Sequence, residues 1–388
     1  MSAAQTPLRS GLVFLSGGSA LTGLARTLAE ARLSATHIIS VFDDGGSAGR
    51  LRDACGGIAI GDIRKRLIAI GNRSAAPSRR VIDLLQSRLP ADGSACAART
   101  IVEGFACGTS DALNGVSPQT AAEISLALQH VLSATAAGFE WRDASIGNLI
   151  LAGRYRQLGD WAPALAWAHG TVSACGVVMP VSTEPADLSA RLANGRWVHG
   201  QSVLTNEITP IDAPIAALEL HQSGRWPAPA RVSAHGPALR EIQTAAAIIY
   251  SWGSFYTSVA CSLLVQGIAP ALAASPAPKV LLLNPFTDAE TVGKQAFDLV
   301  RELCGNGGGE YGRRAGSLLT HVLALRVAGN SKPALYDVAQ RAQLESLGVQ
   351  VVEVHTRGIP RGRELLEVME HLFALAAIEW NDTSDARG

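Results

Sequence analysis

The sequence predicts an α/β protein on a mainly parallel sheet, with a helical insertion and a small antiparallel β-hairpin unit. Three observations carry this. Near the start, a buried strand, a glycine loop, a helix and a second buried strand follow one another. After about residue 245 the same alternation returns. Between them the chain turns first Ala-rich with helical spacing, then strand-like with apolar and polar residues alternating.

Residues 11–15 ("GLVFL") are a wholly apolar run of strand length. "SGGSALTGLARTLAEARL" breaks that run and becomes helical, with Leu21, Leu24 and Leu28 on one face. "THIISVF" (36–42) is a second buried strand, and the resulting βαβ unit implies parallel pairing. A helix is expected over 62–71 with Asp62 as its N-cap. Residues 73–145 read as a helical insertion, broken by loop signals near Pro90–Gly93 and Gly104–Ser117, and 146–170 continue as helix. The alternation over 176–205, with Asn194-Gly195 as a type I′ turn signal, predicts the hairpin unit. "AAAIIYS" (245–251), "KVLLLNP" (279–285), "THVLALR" (320–326) and "VQVVEVH" (349–355) predict four more strands. Glu364 to Trp380 reads as a closing helix and 381–388 as a frayed tail, so that one domain spans 10–380.

The 388 residues carry 33 basic and 33 acidic side chains, so no global field favours nucleic acid. Six cysteines (Cys55, Cys96, Cys107, Cys175, Cys261, Cys304) lie far apart with no C-x-x-C pair, which argues against a zinc site or a disulfide framework and for a reducing, cytoplasmic setting. With the histidines also scattered, any metal site is expected to be oxygen-rich and magnesium-like. Ile242 to Pro278 holds no Asp, Glu, Lys or Arg, long enough to span a bilayer, but "SWGSFYTS" and three prolines interrupt it. A buried strand, a glycine loop and a buried helix describe it better, and no membrane partner is expected. A homo-oligomer is left open.

In open parallel sheets ligands bind beyond the carboxyl ends of the strands. The loop Gly17, Gly18, Ser19, Ala20 falls at that edge, where backbone amides and a helix N-terminus suit an anion; alone it is equally a plain strand-to-helix turn. Asp43 and Asp44 end the next strand. Adjacent side chains diverge, so one carboxylate can face a ligand and the other the scaffold. Such a carboxylate can hold Mg²⁺ beside phosphates or take a proton from a hydroxyl, or merely cap the loop. Arg50 suits phosphate contacts, and Arg52 suits these or a neighbouring acid. Asp62 reads first as a cap and is carried as a third catalytic candidate. Arg64, Lys65 and Arg66 sit in the first turns of a helix, the wrong end for cations unless an acidic ligand is near. Ser145 and Asn148 begin a helix. Gly253, Ser254, Tyr256 and Thr257 form a second strand–glycine–helix junction that repeats the anion-cradle pattern, and Asn284 and Thr287 follow a further strand. "GNGGGEYG" (305–312) reads as a flexible loop.

Together these motifs resemble the family that holds the 2-phospho-L-lactate transferases of deazaflavin coenzyme synthesis and the YvcK-type gluconeogenesis factors. "DDGGSAGRLRDACGGIAIGDIRK" is similar to the family's "DDGGSSGRLR…PPGDIRN", "ASIGNLILA" to "HSLGNLLLA", and "SWGSFYTSVACSLLVQGIAPAL" to "GPGSLYTSxLPNLLVxGIxEAI". The first loop, "SGGSALTGLA", and the hairpin region, "VMPVSTEPADLSARLANGRWVHGQS", follow in the family's order, over roughly residues 11–300.

The resemblance implies a Rossmann-like three-layer domain that binds a nucleoside diphosphate or nucleotide-sugar. In the transferase branch a phospho-linked group passes from a nucleoside-diphosphate-activated donor to a hydroxyl with Mg²⁺; in the other branch the protein is a nucleotide-sugar-binding regulator. The segment around "GGSAGRLR" is closer to the regulatory branch. Carried onto this chain, Asp43, Asp44 and Asp62 are the catalytic candidates, with Asp43 and Asp44 as metal ligands. Gly17, Gly18, Ser19, Ser47, Arg50, Arg64, Asn148, Gly253, Ser254, Tyr256, Thr257 and Asn284 are the nucleotide and phosphate contacts. This chain departs from the family pattern at Ser16 and Ala20 (glycines), Ala144 (histidine), Lys65 (asparagine), Ser251-Trp252 (Gly-Pro) and "DAETVGK" (288–294, "PGETDGY").

Overall fold

The computed structural model describes residues 8–206, 208–303, 318–328, 334–358, 360, 364 and 366–370. The chain forms β1 (Leu8–Ser16), β2 (Leu33–Ile39), β3 (Val177–Pro180), β4 (Ala186–Leu192), β5 (Trp197–His199), β6 (Ile215–Gln222), β7 (Ala247–Tyr250), β8 (Lys279–Leu283), β9 (His321–Val327) and β10 (Gln350–Thr356). Seven of these strands make one sheet in the order β10-β9-β8-β7-β1-β2-β3, every pair parallel. The other three form an antiparallel unit, β5-β4-β6. Helices cover both faces of a parallel sheet, so its strands read as unbroken apolar runs: Leu12, Val13, Phe14 and Leu15 are all buried, as is all of β8.

The expected strands are present, and the charge-free segment folds as β7, a helical turn at Phe255–Ala260 and short helices. Among the described residues no helix is long and apolar enough to cross a membrane. All five described cysteines are free thiols. The flexible-loop assignment at 305–312 and the tail at 381–388 lie outside the described residues, as does much of the closing helix, of which 364 and 366–370 are helical.

Helix α1 (Thr22–Glu30) crosses from β1 to β2, and α2 (Gly46–Cys55) and α3 (Gly61–Ile70) follow β2. The segment 73–145 is indeed helical: α4 (Ala76–Gln86), α5 (Ala95–Ala106) and α6 (Pro118–Ala134) pack with α7 (Ile146–Leu158) around a second core that includes Ile82, Leu85, Phe105, Ile124, Leu128 and Leu149. Ser94 and Ser117 cap α5 and α6 by accepting the amides of Ala97 and Thr120.

The glycine-containing run from Gly46 forms α2: a Cβ on Gly49 would lie 2.1 Å from the Asp44 carbonyl oxygen, so the close approach demands glycine. Four local expectations are corrected. Asp62 is not an N-cap, because α3 begins at Gly61 with Ile60 ahead of it, placing Asp62 inside the first turn. The helix over 146–170 is two, since Gly159 turns left-handed (φ 72°) and Asp160 caps α8 (Trp161–Thr171) through the amide of Ala162. The antiparallel unit is not 176–205. Val177–Pro180, apolar without alternation, joins the main sheet, whereas β4 alternates and takes β6 as its second partner. Its turn is not type I′ either. Gly195 has φ 86° but Asn194 is not left-handed, and the Leu192 amide donates across the loop to the Arg196 carbonyl.

From β1 the chain runs outward through β2 and β3, then returns to the other side of β1 as β7 and runs outward again. The carboxyl ends of β1 and β7 thus flank the point where strand order switches, and there the loops after them meet.

Gly49→Ala is expected to lower stability by about 2 kcal/mol or more through the clash with Asp44. Gly23→Ala, in α1 with nothing within 4 Å of its added Cβ, is expected to raise stability by about 0.5 kcal/mol. Urea denaturation of the two variants checks both signs.

Candidate functional site

A cleft of about 320 Å³ opens at the switch point, lined by Gly17, Gly18, Ser19 and Ala20 after β1, Asp43 after β2, Asp62 and Lys65 of α3, and Trp252, Gly253, Ser254 and Ser258 after β7. Gln201 and Thr205, in and just after the short helix α9 (Gln201–Leu204), close it from the antiparallel unit. Its size is at the lower end for a small-molecule site.

The two glycine loops are pressed together. A Cβ on Gly17 would lie 2.5 Å from Ser258 Oγ, one on Gly18 2.3 Å from Asp62 Oδ1, and one on Gly253 2.9 Å from the Ala20 Cβ. The backbone therefore reaches the cleft bare. Among the described residues the amides of Gly18, Ser19 and Ala20 donate no hydrogen bond, so their N–H groups are available to an anion.

Asp43 and Asp44 lie in the loop after β2, which ends at Ile39 rather than at the expected Phe42, and their side chains diverge. Asp43 faces the cleft. Its Oδ1 accepts the Gly45 amide at 2.9 Å, and burial, reinforced by Asp62, holds its pKa above the usual carboxylate value despite that bond. Asp44 turns to the scaffold: its Oδ1 accepts the Ser202 amide at 2.8 Å and so caps α9. Asp62, not Asp44, is the second carboxylate of the cleft. Its Oδ1 accepts from Lys65 Nζ at 2.9 Å, and Lys65 also reaches Ser19 Oγ at 3.2 Å.

Several predicted ligand contacts are instead bonded within the protein. Ser47 Oγ accepts from the Ser145 amide and from Asn148 Nδ2, tying α2 to the start of α7. Arg50 donates to the Arg142 carbonyl outside the cleft. Arg64 is buried against Gly147, and burial pulls its pKa down to about 10. Arg52 pairs with Asp187 at 2.8 Å. The second cradle is filled from inside: buried Glu290 accepts the amides of Tyr256 and Thr257 and the Thr257 hydroxyl, while the Tyr256 hydroxyl donates to Glu302. Asn284 clamps both sides of Gly253, accepting its amide at 2.9 Å and donating to its carbonyl at 2.7 Å. Of that junction only Gly253 and Ser254, with Trp252 and Ser258, line the cleft.

Sequence reasoning did not place Lys65, Gln201, Thr205 or Ser258 in the site. Lys65 was visible as a departure inside "GDIRK" and Gln201 inside "GQS", but polar residues of this kind carry no signal until the fold brings them together.

A larger groove of about 670 Å³ lies at the opposite edge, where α1, α3 and α8 end, and includes Arg26, Arg32, Arg73 and His169. Helix carbonyl ends disfavour anions, and arginines beside them offset that partial charge. The groove holds one carboxylate, Glu30, rather than a facing pair.

Residues 12–357 match the family described as 2-phospho-L-lactate transferase CofD. The chain belongs to this family. A putative gluconeogenesis factor of Nostoc sp. is 30% identical over 293 residues, 75% of this chain and 51% of that protein. A gluconeogenesis factor of Listeria monocytogenes is 27% identical over 71% of this chain and 67% of its own. The chain thus spans about half the length of the first of these CofD-family relatives. A crystal structure of a Bacillus halodurans protein shares the fold, with a TM-score of 0.68 at 23% identity over 94% of this chain and all of that one.

Glu290 gives a test of the filled cradle. Burial raises its pKa from 4.5 to about 7 in the folded protein. The fold therefore favours the protonated form: the stabilisation is fully present below pH 4.5 and is lost as pH rises through about 7. Glu290→Gln is expected to flatten that part of the stability profile. Glu290→Ala strands two buried amides and is expected to cost about 3 kcal/mol at pH 6. Thermal melts from pH 4 to 9 read both.

Proposed function

We propose that the cleft binds a nucleoside-diphosphate-linked ligand, with its phosphates on the first glycine loop and its charge shared with Mg²⁺ held by Asp43 and Asp62. The observation that carries this reading is the placement of the unbonded Gly18, Ser19 and Ala20 amides in one cleft with two carboxylates. Glycine-lined backbone suits a diphosphate, which needs close approach to several N–H groups.

No group of three or more His, Cys, Asp or Glu capable of holding a metal occurs among the described residues. Two carboxylates beside a phosphate loop do fit, because Mg²⁺ is commonly held by one or two carboxylates together with substrate phosphates. The ion, when bound, would neutralise phosphate charge. Asp43, which faces the cleft, is placed to take a proton from an acceptor hydroxyl, and Lys65 holds Asp62 and Ser19 in place. The reaction so supported is of the 2-phospho-L-lactate transferase type: a small-molecule hydroxyl oxygen bonds to the phosphorus of the phospho-linked group, the bond from that phosphorus to the bridging oxygen breaks, and the nucleoside monophosphate leaves. Positioning and electrostatics would supply most of the rate.

A second reading is a nucleotide-sugar-binding regulator without turnover. It is favoured by the relatives named gluconeogenesis factors and by Asp44, which is committed to capping α9.

Calorimetry with nucleoside diphosphates and their sugar conjugates, with and without Mg²⁺, tests the shared premise. Asp43→Asn and Asp62→Asn are each expected to weaken Mg²⁺-dependent binding about tenfold or more. Asp44→Asn is expected to act on stability, by about 1 kcal/mol, and little on binding. Absence of binding by any member of the panel refutes the reading. Binding without product in the presence of hydroxyl acceptors selects the regulator.

A further inference from the structure

Arg66 is fully buried in α3 beneath the first glycine loop. Its Nη2 donates to the Gly17 carbonyl at 2.9 Å and to Ser16 Oγ at 3.3 Å. Nε and Nη1 are buried without a hydrogen-bond partner. No carboxylate lies within ion-pair distance among the described residues; Asp62, one turn earlier, acts on it only at longer range. An uncompensated buried guanidinium is costly, and its pKa falls to about 10 through burial. A hydrophobic side chain would fill the same position on α3 without that cost. The charge therefore calls for a compensating group, and the open side of the loop is where one fits.

Peptide geometry gives the direction. The Gly17–Gly18 bond is trans, so its carbonyl and its N–H point opposite ways. With the Gly17 carbonyl fixed on Arg66, the Gly18 N–H points away from Arg66, and among the described residues it donates no hydrogen bond. Without a cation behind it, a peptide between two glycines is free to flip.

We propose that Arg66 is a positioning residue for the ligand's phosphate: from behind the loop it locks the Gly17–Gly18 peptide with the N–H toward the cleft, and its charge is matched by the phosphate on the other side. The inference rests on the nucleotide reading above and deepens it. It assigns the anionic end of the ligand to the first loop, while the second loop, its amides held by Glu290, supplies shape and the Ser254 hydroxyl.

The test compares wild type, Arg66→Gln and Arg66→Lys by calorimetry, using a nucleoside diphosphate and the matching uncharged nucleoside as probes, with a thermal melt for each variant. Arg66→Gln keeps a donor but loses the charge; it is expected to weaken diphosphate binding about tenfold and nucleoside binding little. Arg66→Lys keeps the charge and is expected to stay within about threefold of wild type for the diphosphate. A merely structural role would lower melting temperature and weaken both probes alike. The inference is overturned if folded Arg66→Gln binds the diphosphate as wild type does, if both probes weaken equally, or if Arg66→Lys loses as much as Arg66→Gln. The lysine variant decides the matter if the glutamine variant does not fold. If wild type binds neither probe, the nucleotide reading itself has failed and this inference falls with it.

Discussion

The reversal of strand order between β1 and β7 is the constraint on which the rest depends. β1 is the centre of the sheet, with β2 on one side and β7 on the other. The helices that follow neighbouring parallel strands then lie on opposite faces, and the loops after β1 and β7 are left with a crevice between them. Two glycines of the cleft answer to that proximity, Gly17 and Gly253, and a third, Gly18, answers to α3. Gly17 faces Ser258, Gly18 faces Asp62, and Gly253 faces Ala20, each closer than a side chain would allow. Bare backbone at the carboxyl edge follows from packing.

The site is asymmetric for an electrostatic reason. Both glycine loops end in helical turns whose first amides need acceptors. The second loop meets that need from within, through buried Glu290, and Asn284 fixes its Gly253 peptide. The first loop has no such internal acid; behind it lies a cation, Arg66, while Asp62 is paired with Lys65. The second loop's amides are bonded from within, whereas among the described residues those of Gly18, Ser19 and Ala20 donate no hydrogen bond.

Acid placement is set by the loop between β2 and α2. There Asp43 enters the cleft and Asp44 caps α9. α9 in turn carries Gln201 to the cleft's rim, so the antiparallel unit is tied to the sheet by the residue next to the candidate acid. The helical insertion is joined to the same region through Ser47 and Asn148 and through Gly147 against Arg64. These contacts hold α2, α3 and α7 in fixed relation behind Asp43.

The sequence by itself determined the architecture. Apolar runs of strand length, a glycine break and 3.6-residue spacing are local patterns, and they were enough for the parallel strands, the helical insertion and the edge at which the cleft opens. It also marked Asp43, the first glycine loop, Gly253 and Ser254. It failed where a residue's role is set by a distant partner. Tyr256 and Thr257 resemble ligand donors until Glu290, more than thirty residues away, takes their amides. Lys65 and Arg66 are neighbours in a basic run, yet helix rotation sends one to the cleft and buries the other behind the loop. Spacing along the chain says which face a side chain occupies. Only the tertiary structure decides what that face meets, because hydrogen-bond acceptors and counter-charges in this fold come from segments far apart in sequence.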